Sequence, residues 1–135
     1  MPTDLKIDVT NRTIEIWSYN VETIIAEKYE SIIKRSTLNT RIRDFYDVYM
    51  LIHLDKNNIS DKVLKDAIIE TSQHRETFDM INDKKLVEDV IESIKSDNDL
   101  LKQWEKYKKK YEYAKNIDYN ELMESINKIK NIYFK

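Results

Sequence analysis

Apolar and polar positions alternate through Leu5, Ile7 and Val9, and again through Ile14 and Ile16, on either side of a polar Asn11-Arg12 break. A period of two interrupted by turn-forming residues predicts two β-strands joined as a hairpin over 1–18. No stretch after Trp17 repeats that period. A lone hairpin is marginal in water unless it packs on something or extends a larger sheet. The pattern therefore predicts an unfinished sheet whose apolar face needs cover, and an open edge of that kind predicts a homodimer through the hairpin.

Beyond Val21 the period lengthens. Ile24, Ile25, Ile32 and Ile33 recur at helical spacings, which predicts a helix over 21–35. A second helix is expected over 40–54. A third starts at an N-cap, Ser60, and carries Val63, Leu64, Ala67 and Ile68, while Asp83 opens a fourth that carries Leu86, Val87, Val90, Ile91 and Ile94. Residues 72–82 read as loop. A fifth helix begins near Asp99 with Leu100, Leu101, Trp104, Tyr107 and Tyr111 on its apolar side. The sixth has the clearest start, because Asp118 and Glu121 form a capping box and Ile117 can staple to Leu122. The predicted fold is α+β and predominantly α, with an N-terminal β-hairpin at 1–18 and a bundle of about six helices over 19–135, all in a single domain.

Composition narrows the chemistry. The 135 residues include no glycine, so phosphate-cradling P-loops, dinucleotide-binding turns and nucleophile elbows have no residue to build them. Without cysteine, and with His53 and His74 as the two histidines, thiolate sites are excluded and a multi-histidine metal centre is not expected. Neither histidine has a serine or acid at triad spacing, and both read as structural. No apolar run approaches the roughly 18 residues that a membrane span needs. The expectation is a cytoplasmic protein with no membrane partner.

Two helices carry charges where apolar residues belong. On a helical wheel Val21, Ile24, Ile25, Tyr29, Ile32 and Ile33 fill an arc of roughly 180°. Lys28 and Arg35 fall inside that arc, whereas Glu27, Glu30 and Lys34 fall on the opposite, solvated face. A cation on a buried stripe must snorkel, pair or serve a ligand. In the second helix Asp44 and Asp47 lie three apart on one side of an otherwise apolar stretch. A structural explanation also stands, since first-turn carboxylates favour the helix dipole and Arg41 and Arg43 can neutralise them. Residues 28–43 nevertheless hold Lys28, Lys34, Arg35, Arg41 and Arg43 against Glu30 alone, an excess of positive charge suited to phosphate.

The stretch Glu22-Thr23-Ile24-Ile25-Ala26-Glu27-Lys28, followed by Arg35 and by Arg43-Asp44-Phe45-Tyr46-Asp47, resembles the AbiEii family, nucleotidyltransferase-like toxins of abortive-infection and toxin–antitoxin systems. The family's E-x-x-x-A-E-K and R-D-x-Y-D elements both occur, in order and at a fitting separation. The resemblance implies a nucleotidyltransferase fold that moves a nucleotide from an NTP to RNA, transfer RNA among the acceptors, with Mg²⁺ held by carboxylates and an antitoxin protein as partner. It casts Lys28 and Asp44 as catalytic, and Lys28, Arg35, Arg43 and Asp47 as the residues around the nucleotide. Asp8, on the polar face of the first strand, would match a further sheet carboxylate.

The sequence departs from the family pattern where Gly-Ser and paired metal-binding aspartates are expected. Asp97-Asn98-Asp99, its D-x-D string, sits where a helix cap is expected. The resemblance then implies the C-terminal part of such an enzyme, with the hairpin as a remnant of its sheet, inactive alone and without a metal or nucleotide of its own. The alternative is a helical RNA- or protein-binding module without catalysis. It rests on Trp104-Glu105-Lys106-Tyr107-Lys108-Lys109-Lys110-Tyr111, where aromatics interleave with lysines. Helical spacing sets the core-facing reading of Trp104, Tyr107 and Tyr111 against it.

Overall fold

The computed structural model describes residues 9–38, 41–54 and 58–135, with 9–20 described through their backbone. Among these residues every regular element is helical: α1 (Val9–Arg35), α2 (Ile42–Leu54), α3 (Asp61–His74), α4 (Phe78–Ile81), α5 (Lys84–Lys95), α6 (Asn98–Lys110) and α7 (Tyr119–Tyr133). Short 3₁₀ turns lie at Ser36–Leu38 and Glu112–Ala114. No helix among the described residues is long and apolar enough to cross a membrane.

The expected hairpin is overturned, and with it the α+β class. Leu5, Ile7 and Asp8 lie outside the described residues, while Val9, Ile14, Ile16 and Trp17 belong to the 27-residue α1. Ile14, Trp17, Val21, Ile24 and Ile25 already follow spacings of three and four, so the helical pattern extends back through the supposed second strand. Alternation across so few residues does not separate strand from helix. A two-residue hairpin loop also favours glycine or asparagine at positive φ, and Asn11-Arg12 places an arginine there. Position 18, the expected end of the hairpin, lies inside α1, and the dimer through a sheet edge loses its basis.

The helix starts follow the local signals. Ser60 caps α3 by accepting from the Val63 N–H, Asp83 caps α5 through Leu86, and Asp97 caps α6 through Leu100 at 2.9 Å. The capping box opens α7, where Glu121 accepts from the Asp118 N–H at 2.9 Å. The expected loop over 72–82 instead holds the end of α3 and the whole of α4.

Without glycine, two of the described residues take up left-handed backbone, Ser36 at φ 51° and Glu76 at φ 61°. Glu76 sits in a Schellman motif: the Thr77 N–H donates to Ser72 O at 2.8 Å and the Glu76 N–H to Gln73 O at 3.2 Å.

The long α1 is the axis of the bundle and packs chiefly on α3 and α2, while α7 closes α2, α3 and α5 from the other side. Ile25, Tyr29, Ile32, Phe45, Val48, Ile68, Trp104, Leu122 and Ile126 are fully buried. At about 1.5 to 3 kcal/mol for each large apolar side chain removed from water, this core drives folding. Two of its polar groups are tied to backbone, Trp104 Nε1 donating to Ile117 O at 2.9 Å and the Tyr119 hydroxyl to Ile94 O at 2.7 Å, whereas the buried Tyr29 hydroxyl has no hydrogen-bond partner among the described residues.

Two carboxylates of α1 also act as fasteners. Glu22 accepts from the Ser60 N–H at 2.9 Å. Glu30, expected in solvent, is instead 1% exposed and accepts from Arg75 at 2.7 Å and from the Thr77 hydroxyl at 2.8 Å. The turn that ends α3 covers this second face of α1.

Candidate functional site

The start of α2 packs against the C-terminal third of α1 and brings the cation of one to the carboxylates of the other. Lys28 Nζ lies 3.0 Å from Asp47 Oδ2 and 3.4 Å from Asp44 Oδ1. The i,i+3 spacing of Asp44 and Asp47 places both on the side of α2 that meets α1. Arg41 Nε approaches Asp44 Oδ2 at 3.5 Å, and Arg43 Nε approaches Asp47 Oδ1 at 3.8 Å. The Asp44 side chain is 6% exposed, Lys28 and Asp47 about a quarter exposed, and the side chains of Arg41 and Arg43 mostly exposed.

Burial grades these contacts. The Arg43 pair is a surface interaction worth about 0 to 1 kcal/mol. Asp44, taken out of water, depends on its cations more strongly. It also benefits from its place in the first turn of α2, where the helix dipole is positive.

Lys28, Arg41, Ile42, Arg43, Asp44 and Asp47 line an open cavity of about 480 Å³. Three cations against two carboxylates leave it positive. The backbone N–H groups at the start of α2 add to that field. An ammonium has three donors, so Lys28 keeps one beyond the two directed at the carboxylates. This arrangement suits a polyphosphate held at the mouth by the arginines and at the wall by Lys28.

Of the residues singled out by sequence, Lys28, Arg43, Asp44 and Asp47 come together here. Arg35 does not line the cavity: it is the last residue of α1, exposed, and two turns or about 10 Å along the axis from Lys28. Asp8 lies outside the described residues. Arg41, which the sequence offers both as a neutraliser and as part of the basic run over 28–43, lines the cavity too, and so does Ile42, which no sequence signal singles out. His53 is exposed, hydrogen-bonded through Nδ1 to Tyr49 O and stacked on the Tyr49 ring, and His74 ends α3 on the surface.

Beside the cavity, Tyr46 of α2 meets an aromatic cluster on α6 and the turn after it. Its ring centroid is 5.0 Å from Tyr113, 5.9 Å from Tyr107 and 6.5 Å from Trp104. Trp104 is buried, Tyr107 and Tyr111 half-buried and Tyr113 exposed. Burial, and then the hydrogen bond with Tyr113, push the Tyr107 phenol above its usual value. The core-facing expectation for this stripe thus holds fully at Trp104 and by half at the two tyrosines.

Comparison with curated proteins and with solved structures finds no match. The family model described as nucleotidyl transferase AbiEii toxin, type IV toxin–antitoxin system, matches residues 1–125. That span covers both motifs and the whole cavity, and the chain belongs to the AbiEii nucleotidyltransferase toxin family.

Proposed function

We propose that the α1–α2 cavity binds the triphosphate of an NTP for transfer of its nucleotide to RNA, transfer RNA being one such acceptor. The observation that carries this reading is the convergence of Lys28, Arg41 and Arg43 on one open cavity beside Asp44 and Asp47. In such a transfer an acceptor hydroxyl oxygen bonds to the α-phosphorus and its proton leaves to solvent. The bond from the α-phosphorus to the bridging oxygen breaks, and pyrophosphate departs with the electron pair. Charge grows on that leaving group, and cations already in place stabilise it without reorganising. Lys28 and Arg43 have this role, with Asp44 and Asp47 orienting them. The toxin–antitoxin setting adds an antitoxin protein as partner and the cytoplasm as the compartment.

Nucleotidyltransferases use a metal as well as an NTP in general. The carboxylates here do not fit a metal by themselves. Both oxygens of Asp44 and both of Asp47 face a lysine or an arginine, whereas Mg²⁺ demands octahedral oxygen coordination. No group of three or more metal-ligating side chains occurs among the described residues. These residues are therefore assigned binding and charge neutralisation.

Calorimetric titration of the full chain with each NTP and with inorganic triphosphate tests the reading. Lys28→Ala and Arg43→Ala are each expected to weaken triphosphate binding by about tenfold, ~1.4 kcal/mol. Arg43→Ala should leave the melting temperature unchanged, because its pair is exposed. Absence of triphosphate binding, or binding indifferent to both substitutions, overturns it.

A further inference from the structure

Ile42 lines two cavities. One is the polar cavity described above. The other is a shallow surface groove of about 510 Å³, open to solvent along α6 and lined by Ile42, Gln103, Lys106, Tyr107, Lys109 and Lys110.

Their spacing explains the shape. Gln103, Lys106, Tyr107 and Lys110 fall three, four and seven apart and so share a side of α6, a stripe of about 10 Å. Lys109 flanks it. Tyr107 and Ile42 are half-buried and form an apolar floor, while the three lysines surround it. Lys108, on another side of α6, pairs with Glu105 at 3.4 Å. Lys106 and Lys109 make no ion pair among the described residues, and Lys110 lies over the Tyr111 ring at 5.4 Å. The outcome is an aromatic floor with a cationic rim, opening beside a cavity built for phosphates.

A flat apolar base over a ring and a regularly charged backbone along lysines is the chemistry of a single strand. A purely acidic chain such as poly-glutamate would satisfy the lysines but not the aromatic floor. We propose that this groove binds single-stranded nucleic acid, with a base on Tyr107 and Ile42 and its phosphates on Lys106, Lys109 and Lys110. The name of acceptor for that strand rests on the triphosphate reading of the adjoining cavity, and the binding itself does not. Because Ile42 lines both cavities, a strand in this groove lies next to the cavity that holds Lys28 and Arg43.

The test is fluorescence anisotropy of the full chain with labelled single strands of about eight nucleotides, RNA and DNA of one sequence, at several salt concentrations. Binding should weaken as salt rises. The double substitution of Lys106→Glu with Lys109→Glu should lower affinity more than tenfold while triphosphate binding stays unchanged. An abasic strand of equal charge should bind several-fold more weakly, as should Tyr107→Ala against Tyr107→Leu where both variants keep the wild-type melting temperature.

No strand binding, or binding untouched by the lysine substitutions, overturns the groove. Equal binding of the abasic strand, or equal competition by poly-glutamate, overturns it as well by removing the role of the base. Loss of triphosphate binding with strand binding intact defeats the α1–α2 reading instead and leaves the groove standing. Preference for RNA over DNA decides which strand is the natural one.

Discussion

The Glu30–Arg75 pair shows how unequal the two ends of one ion pair can be. Glu30 is 1% exposed, whereas the Arg75 side chain is 37% exposed. Removing the arginine strands a carboxylate inside the bundle with the Thr77 hydroxyl as its remaining named donor. Removing the carboxylate merely returns a surface guanidinium to water. Arg75→Ala is therefore expected to cost about 3 kcal/mol and Glu30→Ala about 1 to 2 kcal/mol, read from urea unfolding of the two variants. An equal or reversed order would refute the reasoning. Residues of this kind mark the edge of what sequence reveals. Lys28, Asp44 and Asp47 were legible because each interrupts an apolar face, and an interruption is visible in the pattern. Glu30 was not, because it sits on the polar side of α1 and is buried by the turn ending α3, a neighbour 45 residues away. Arg35 was misplaced for a related reason: the wheel gives it the same direction as Lys28 but not its position at the end of α1.

At the scale of elements, the capped starts of α3, α5 and α7 were legible, as were the ends of α1 and α2 at 35 and 54, whereas the start of α1, the end of α3 and the short α4 were not. Ser60, Asp83 and Asp118 announce themselves because a cap is a bond across three residues, written locally. The end of α3 has no glycine to announce it and depends on Glu76 entering the left-handed region. There a Cβ crowds the following carbonyl, at a cost of roughly 1 to 2 kcal/mol. Glu76→Gly should raise stability by about 1 kcal/mol and leave the helical circular dichroism unchanged. A loss of stability would show that Glu76 makes a compensating contact. The supposed hairpin failed for the opposite reason to Glu76. Its alternation was real but short, and the helix period running through Ile14, Trp17 and Val21 was there to be read beneath it. Where two periods compete, the one sustained over the longer run prevails, and the helical period runs from Ile14 to Ile33 within α1.

For the molecule as a whole, the phenols of the core set an alkaline limit. Burial raises Tyr29 and Tyr119 above the ordinary tyrosine value of 10.0, and Tyr133 shifts the same way from the same cause. A folded value above the unfolded one contributes stability that is complete below the unfolded value. It is lost as pH rises from there through the folded one. Urea midpoints measured from about pH 8 to about pH 11 should hold level and then fall above about pH 10, before any tyrosinate absorbance of the folded protein develops in full. A midpoint independent of pH across that range would contradict the burial of these phenols. The missing glycines, met so far as two strained turns, also shape the chain before it folds. A glycine-free polypeptide has fewer backbone states open to it when unfolded, so less disorder is surrendered on folding. The strain at Ser36 and Glu76 is local to each residue, whereas the narrowing of the unfolded ensemble acts along the whole chain. A bundle of modest size thereby begins its folding from a stiffer and less costly starting point.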